Sequence, residues 1–146
     1  MPSDTALRLG DVPLATAITL HYAEAGGVAG PPILLLHDLG ESWRAFEGVL
    51  RHLPAGVRAV APDLRGHGAS DRPRRGYALA DFAADVLALS FALGLGRSVI
   101  VGRGHASSIA QHLALEHPET VRRLVLIEAA GRAAASPRPA DVGGPG

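Results

Sequence analysis

Four short, mainly apolar runs constrain the fold of this chain more than any other feature of its sequence. Ile33–Leu36 contains no polar residue and has turn-forming residues on both sides. A run of this kind fits a strand that is buried on both faces, as in a parallel sheet. Three later runs have the same character, at residues 57–61, 98–101 and 124–127. The sequence therefore predicts a mostly parallel sheet.

Segments with helical periodicity lie between these runs. Ser42 is a candidate N-cap for the first helix, residues 79–93 predict a strongly amphipathic second helix, and residues 105–116 predict a third. Before the first run, residues 7–23 predict two short strands with a turn at Gly10-Asp11. The order predicts an α/β fold in which a mostly parallel sheet of about six strands has helices on both faces.

The composition fits one globular domain. The chain has 146 residues, of which 47% are hydrophobic and 19% are charged. Residues 129–146 are rich in Ala, Gly, Pro and Arg and show no periodicity. We therefore expect a domain over residues 1–128 and a disordered tail over residues 129–146.

Charge and cysteine content narrow the classes of partner. The formal net charge is zero, which predicts no electrostatic surface for nucleic acid or an anionic membrane. The chain has no cysteine, so disulfides and thiolate metal sites are excluded. No apolar stretch approaches a bilayer span, and the first ten residues lack the pattern of a secretory signal. We expect a cytoplasmic protein.

Four motifs follow one another at characteristic spacing. They are residues 35–43 (LLHDLGESW), 61–70 (APDLRGHGAS), 77–82 (YALADF) and 99–102 (VIVG), the last followed by a turn, a helix and residues 115–119 (LEHPE). Together they resemble the N-terminal portion of the α/β-hydrolase family, and the resemblance covers about residues 11–130. The family fold that this implies agrees with the predicted order of strands and helices.

The resemblance also locates the family's nucleophile position. Family members carry the nucleophile on a strained turn between a strand and a helix, in the pattern Gly-x-Ser-x-Gly. Counting back from His117 without gaps puts this position at Gly104, and the small flanking residues Gly102 and Ala106 are kept. Glycine tolerates positive φ and can relieve about 1–3 kcal/mol of strain, but it has no reactive side chain. The resemblance thus implies an elbow without a nucleophile.

An oxyanion hole is implied beside this elbow. The backbone N–H groups of Leu39 and His105 would form it, and His37 and Gly40 would shape its loop. Asp38 stands where the family often has glycine. A carboxylate there would either repel a developing oxyanion or face solvent.

Two charged residues in the second motif look catalytic by residue type. Asp63 and Arg65 lie in the family loop, where the resemblance implies that they hold the turn together through hydrogen bonds and an ion pair. His67 is expected to be structural as well.

The family hydrolyses ester, amide, epoxide or carbon–halogen bonds without a cofactor. Serine members transfer acyl groups, whereas aspartate members open epoxides or displace halide.

The region that supplies the lid, the triad acid and the triad histidine in the family has no counterpart in this sequence. We therefore expect a hydrolase-family protein that binds a small molecule and is catalytically impaired. The alternative is a non-catalytic module that binds a ligand or partner. An exposed sixth strand would favour self-association.

Two serines follow the elbow and raise a second possibility for a nucleophile. Ser107 and Ser108 lie in the first turn of the third helix. Serines at helix starts usually bind backbone groups, so we expect a structural role for both.

Two further interpretations concern binding. Residues 102–107 follow a strand and open a helix, and Glu128 ends the next strand, which is the context of a dinucleotide-binding turn. The third small residue of that fingerprint is Ser107 and not glycine, which weakens this interpretation. A metal site at His105, His112 and His117 lacks a completing carboxylate, so we expect structural histidines and no metal.

Overall fold

The computed structural model describes residues 6–27, 31–54 and 56–127. These residues form six strands and three helices. The strands are β1 (Leu7–Pro13), β2 (Thr19–Ala25), β3 (Ile33–Leu36), β4 (Ala59–Pro62), β5 (Ser98–Arg103) and β6 (Val121–Ile127). The helices are α1 (Glu47–Arg51), α2 (Leu79–Ala92) and α3 (Ala106–Glu116), and 3₁₀ turns cover Trp43–Phe46 and Pro118–Thr120.

All six strands join one sheet in the order β1-β2-β4-β3-β5-β6. β1 pairs with β2, and β2 with β4, in antiparallel fashion. The pairs β3–β4, β3–β5 and β5–β6 are parallel. The predicted mostly parallel sheet is confirmed, and all four apolar runs contribute a strand to it.

Alternate residues of β3 build two cores on opposite faces of the sheet. Leu34 and Leu36 pack with buried residues of α2 and α3, whereas Leu35 packs with the 3₁₀ turn and α1 on the other face. An unbroken apolar strand is required at this position because both of its faces are covered. The predicted helices on both faces are confirmed.

Ser42 begins the segment before α1 as an N-cap. Its side chain accepts a hydrogen bond from the N–H of Arg44 at 3.2 Å. The segment starts as a 3₁₀ turn and becomes α-helical only at Glu47.

The predicted turn at Gly10-Asp11 is wrong, because both residues lie inside β1. The chain instead turns between Leu14 and Ile18, where the N–H of Leu14 bonds the carbonyl of Ile18 at 2.8 Å. Gly10 pairs with Tyr22 across the two strands, and a Cβ on Gly10 would overlap the tyrosine ring. The glycine therefore allows a close cross-strand contact, and it does not mark a turn.

β6 lies at the edge of the sheet, and β5 is its only strand neighbour among the described residues. Its apolar side chains from Leu124 to Ile127 are all exposed there. The predicted tail, residues 129–146, lies outside the described residues. Over the described ranges, none of the helices has the length and apolar character needed to span a membrane.

Candidate active site

The loops that follow β3 and β5 meet at the carboxyl ends of these two neighbouring parallel strands. In open α/β sheets, ligands bind at this end of the strands. The pairing of Leu36 with Gly102 brings the loop of residues 37–41 beside the turn of residues 103–105. Two segments more than 60 residues apart in sequence thus form one site.

The turn after β5 is sharp and depends on two glycines. Gly104 has φ +59°, a conformation that side chains other than glycine rarely adopt. Its N–H donates to the carbonyl of Ile127 at the end of β6, at 2.6 Å. A Cβ on Gly102 would clash with the backbone of Ala106, which is fully buried at the start of α3. The local geometry is a tight passage from strand to helix.

The carboxylate of Asp38 lies directly over this turn. Its Oδ1 accepts hydrogen bonds from the N–H of Leu39 at 2.7 Å and from the N–H of His105 at 2.8 Å. A Cβ on Gly104 would overlap the Asp38 carboxylate. His105 is the N-cap of α3, so the negative charge also lies at the positive end of the helix dipole.

Asp38 therefore does not face solvent, since it is only 7% exposed. The two N–H groups that the sequence assigns to the oxyanion hole both bind this carboxylate.

A second acidic residue braces the same loop. The N–H of Asp38 donates to Glu41 Oε1 at 3.0 Å, and Arg103 Nε binds both carboxylate oxygens of Glu41 at 3.1 and 3.2 Å. Gly40 turns the loop with φ +77°, and a Cβ there would meet no atom within 4 Å. Arg103 ties the β3 loop to the end of β5.

His37 is buried and connects the β3 loop to the β4 loop. Its Nε2 accepts the N–H of Leu64 at 3.0 Å, so the neutral ring carries its hydrogen on Nδ1, which donates to the carbonyl of Asp38 at 2.7 Å. Burial lowers the pKa of His37, and the hydrogen bond to the Asp38 carbonyl opposes this shift in part. Both ring nitrogens are engaged with backbone groups, so His37 acts as a brace between two loops.

Asp63 holds the loop after β4. Its Oδ1 accepts the N–H of Trp43 at 2.7 Å, and its Oδ2 accepts the N–H of Ala69 at 2.9 Å. Gly68, with φ +52°, passes so close that a Cβ would overlap the Asp63 carboxylate. The ring of His67 packs against that of His37, with 5.0 Å between the ring centroids and 57° between the ring planes.

Arg65 forms its ion pair with a residue that the sequence motifs did not single out. Its guanidinium binds the Asp85 carboxylate with two hydrogen bonds of 2.6 and 2.7 Å, and it also donates to the carbonyl of Gly76 at 2.7 Å. The hydrogen bond to Asp85 raises the pKa of Arg65. Asp85 is completely buried on the apolar stripe of α2. A charged residue on such a stripe was the signal that could have identified this pair.

Ser107 and His117, which the alternative interpretations invoke, have structural contacts. Ser107 donates its hydroxyl to the carbonyl of Gly102 at 3.2 Å. His117 lies 3.5 Å from the carboxylate of Glu119. Across residues 6–27, 31–54 and 56–127, no group of three or more His, Cys, Asp or Glu side chains could hold a metal ion. Glu128, which the dinucleotide interpretation needs, lies outside the described residues.

One polar atom beside the elbow was not anticipated from the sequence. His105 Nδ1 is buried and has no hydrogen-bond partner within the described part of the chain, and its ring packs edge-on to Phe82 at 6.0 Å. An unsatisfied buried polar atom costs about 1–3 kcal/mol.

A wide cavity lies elsewhere among the described residues. It measures about 830 Å³ and is formed along α2 by residues that include Ala88, Phe91 and Thr120. None of the predicted site residues lines it, so the site is defined by the two loops and not by this cavity.

Comparison with known proteins agrees with this geometry. A family model described as the alpha/beta hydrolase fold matches residues 31–144, which is more than half of the chain. The chain therefore belongs to the α/β-hydrolase family.

Its relatives include epoxide hydrolases. The soluble epoxide hydrolase of a Corynebacterium species is 33% identical over 109 residues, and the match covers 75% of this chain and 37% of that protein. An uncharacterised protein of Mycobacterium tuberculosis is 38% identical over 116 residues, covering 77% of this chain and 34% of that protein. The solved structure of an epoxide hydrolase from an endophytic Streptomyces matches with a TM-score of 0.74 and 34% identity, over 84% of this chain and 37% of that one.

The chain thus spans about a third of the length of the curated relatives that it matches.

Proposed function

We propose that this protein is an α/β-hydrolase homologue that is catalytically impaired because residue 104 supplies no nucleophile. One observation carries the proposal. Gly104 stands at the apex of the strand-to-helix turn with φ +59°, and the Asp38 carboxylate takes the space of the missing side chain. Loss of a catalytic nucleophile lowers turnover by about a millionfold in a serine hydrolase.

The filled oxyanion hole supports the same proposal. An oxyanion hole accelerates acyl transfer because its N–H groups are aimed at a charge that develops in the transition state. Here the N–H groups of Leu39 and His105 already bind the carboxylate of Asp38. An ester substrate would have to displace a negative charge before its carbonyl oxygen could reach them.

We assign the substrate class from the family and from the named relatives. Small epoxides and esters are the compounds to test first, because epoxide hydrolases are among the relatives at 30% identity or more. Family hydrolysis of these bonds uses no cofactor, and we propose none here.

The proposal is tested by measuring turnover with the purified protein. Hydrolysis of p-nitrophenyl acetate and of styrene oxide is measured for the wild type and for Ser107→Ala, with circular dichroism to confirm folding. We expect both proteins to stay at the buffer rate. Ser107→Ala is the matched variant because the Ser107 hydroxyl is bound to the Gly102 carbonyl. Wild-type turnover above buffer that Ser107→Ala abolishes would overturn the proposal in favour of a relocated serine.

A second role, binding to another copy of this chain, is favoured by the edge strand β6. Exposed apolar edges pair readily with further strands, and Val125 is among the exposed residues of β6. Sedimentation velocity over a range of concentrations should show self-association that Val125→Lys weakens. Phe91→Lys is the control, because Phe91 is 90% exposed on α2 and lies outside the sheet. Equal association of all three proteins would exclude the β6 edge as the contact.

A further inference from the structure

We propose that the cavity along α2 is a binding site for an uncharged, mainly apolar small molecule that carries one hydrogen-bonding group. The cavity measures about 830 Å³, and ligand pockets in proteins usually enclose about 300–1,000 Å³. None of the described residues of the candidate active site lines it. This binding site therefore goes beyond the proposed function and does not depend on it.

α2 carries two apolar stripes, although a surface helix needs only one. The first stripe, which includes Phe82, Val86 and Leu89, is buried in the core. On another side of the helix, four apolar residues follow one another at helical spacing and line the cavity: Ala84, Leu87, Ala88 and Phe91. A helix that is apolar on more than one side is expected to be covered on each of them, so the second stripe calls for an apolar occupant.

Small residues make this stripe one wall of a hollow. Ala84 and Ala88 place only methyl groups on the helix surface, and the loop before β5 adds Gly94 and Gly96. These two glycines have φ +63° and +64°, which favours glycine, and a Cβ on either would meet no atom within 4 Å. A small molecule can enter such a hollow and reach the helix, whereas a flat protein surface would leave the space unfilled.

Thr16 supplies the polar feature of the cavity. It lies in the turn between Leu14 and Ile18 and is one of the lining residues. Its hydroxyl oxygen is buried and has no hydrogen-bond partner in the described part of the chain. A buried hydroxyl without a partner is destabilising, so a ligand group that bonds it is favoured. This observation adds one hydrogen-bonding group to an otherwise apolar ligand.

The charge of the lining disfavours an anionic ligand. Glu119 is the only charged residue among the described residues that line the cavity. Its carboxylate lies 3.5 Å from Nδ1 of His117, and its side chain is exposed to water. A carboxylate or sulfonate group at this wall would meet a like charge, and a cation would find a carboxylate that already has a neighbour and is screened by solvent. An uncharged ligand fits this wall best.

The experiment is a fluorescence titration of the purified protein with N-phenyl-1-naphthylamine, which is uncharged and carries one N–H donor. 8-Anilinonaphthalene-1-sulfonate is the matched probe, because it has the same aromatic framework and a negative charge. We expect the uncharged probe to saturate at one site per chain. We also expect it to bind at least about tenfold more tightly than the sulfonate.

Substitutions locate the bound probe. Ala88→Trp fills the cavity and should weaken binding of the uncharged probe by more than about tenfold. Ala80→Trp makes the same change at an exposed position of α2 outside the cavity and should leave binding unchanged. Thr16→Val removes the hydroxyl and should weaken binding by about threefold to tenfold. Circular dichroism confirms folding, and Ala84→Glu, at an exposed position of the same stripe, replaces Ala88→Trp if that variant does not fold.

Several results would overturn the assignment. They are a wild type that does not bind the uncharged probe, wild-type affinity in Ala88→Trp, and tighter binding of the sulfonate. Loss of binding in Val125→Lys would move the probe to the exposed β6 edge, and unchanged affinity in Thr16→Val would contradict the part assigned to its hydroxyl. Affinity that falls as the protein concentration rises, with dimers in sedimentation velocity, would identify a second copy of the chain as the occupant. Turnover of styrene oxide is a separate measurement, so failure of this binding site leaves the proposed function intact.

Discussion

The carboxylate of Asp38 and the missing side chain of Gly104 occupy the same space. Oδ1 of Asp38 bonds the N–H of His105, 67 positions away in sequence, and a Cβ on Gly104 would overlap the carboxylate. The family resemblance places glycine near the first position and a nucleophile at the second. In this chain Gly104 leaves the space that the Asp38 carboxylate fills.

This relationship predicts strong coupling between the two positions. Gly104→Ala should cost about 1–2 kcal/mol for the left-handed backbone, and a further few kcal/mol because the carboxylate is pushed off two N–H donors. In an Asp38→Ala background, Gly104→Ala should lower the free energy of unfolding by at least about 1 kcal/mol less than it does in the wild type. Urea unfolding of the four proteins of the double-mutant cycle measures this coupling.

Gly40→Ala is the matched control for this cycle. Gly40 also has positive φ, at +77°, but its Cβ would meet no atom within 4 Å. Its cost should stay near about 1–2 kcal/mol. Additive effects at positions 38 and 104 would contradict the shared space.

The Arg65–Asp85 pair should be a main stabilising contact between the β4 loop and α2. Asp85→Ala leaves a buried guanidinium without its partner, and removing one member of such a pair costs about 3–5 kcal/mol. Urea unfolding should show this loss. Glu47→Ala removes ion pairs with Arg44 and Arg51, whose side chains are 66% and 41% exposed, and its cost should remain below about 1 kcal/mol. Similar losses in the two variants would contradict the assignment of Arg65–Asp85 as the stronger contact.

The fold was predictable where local sequence determines it. The Ile33–Leu36 run specifies a strand buried on both faces, and the sheet places it at the centre. The prediction of a turn at Gly10-Asp11 was wrong because a glycine in the sequence cannot distinguish a turn from close packing between strands. The ring of Tyr22, which explains Gly10, lies on the next strand.

The site was predictable in its backbone but not in its side-chain contacts. The family resemblance predicted that the backbone N–H groups of Leu39 and His105 lie beside the turn at Gly104. It could not show that the Asp38 carboxylate turns into their N–H groups, because that contact depends on a side-chain rotamer and on the pairing of β3 with β5. The sequence suggested two roles for the Asp38 carboxylate, repulsion of an oxyanion or exposure to solvent, and neither includes these two hydrogen bonds.

The buried imidazole of His37 should make stability fall in mild acid. Burial lowers its pKa below the ordinary value of 6.5, so the unfolded chain takes up a proton first as the pH falls. The contribution of neutral His37 to the free energy of unfolding is therefore complete above about pH 6.5. Below that pH the free energy of unfolding declines by at most about 1.4 kcal/mol per pH unit, and the decline ends at the lowered pKa of the native state. Unfolding free energies between about pH 7.5 and 5.5 should show a shallower slope for His37→Gln than for wild type. Leu115→Ala, at an exposed position of α3, should keep the wild-type slope, and parallel curves for all three proteins would contradict the assignment to His37.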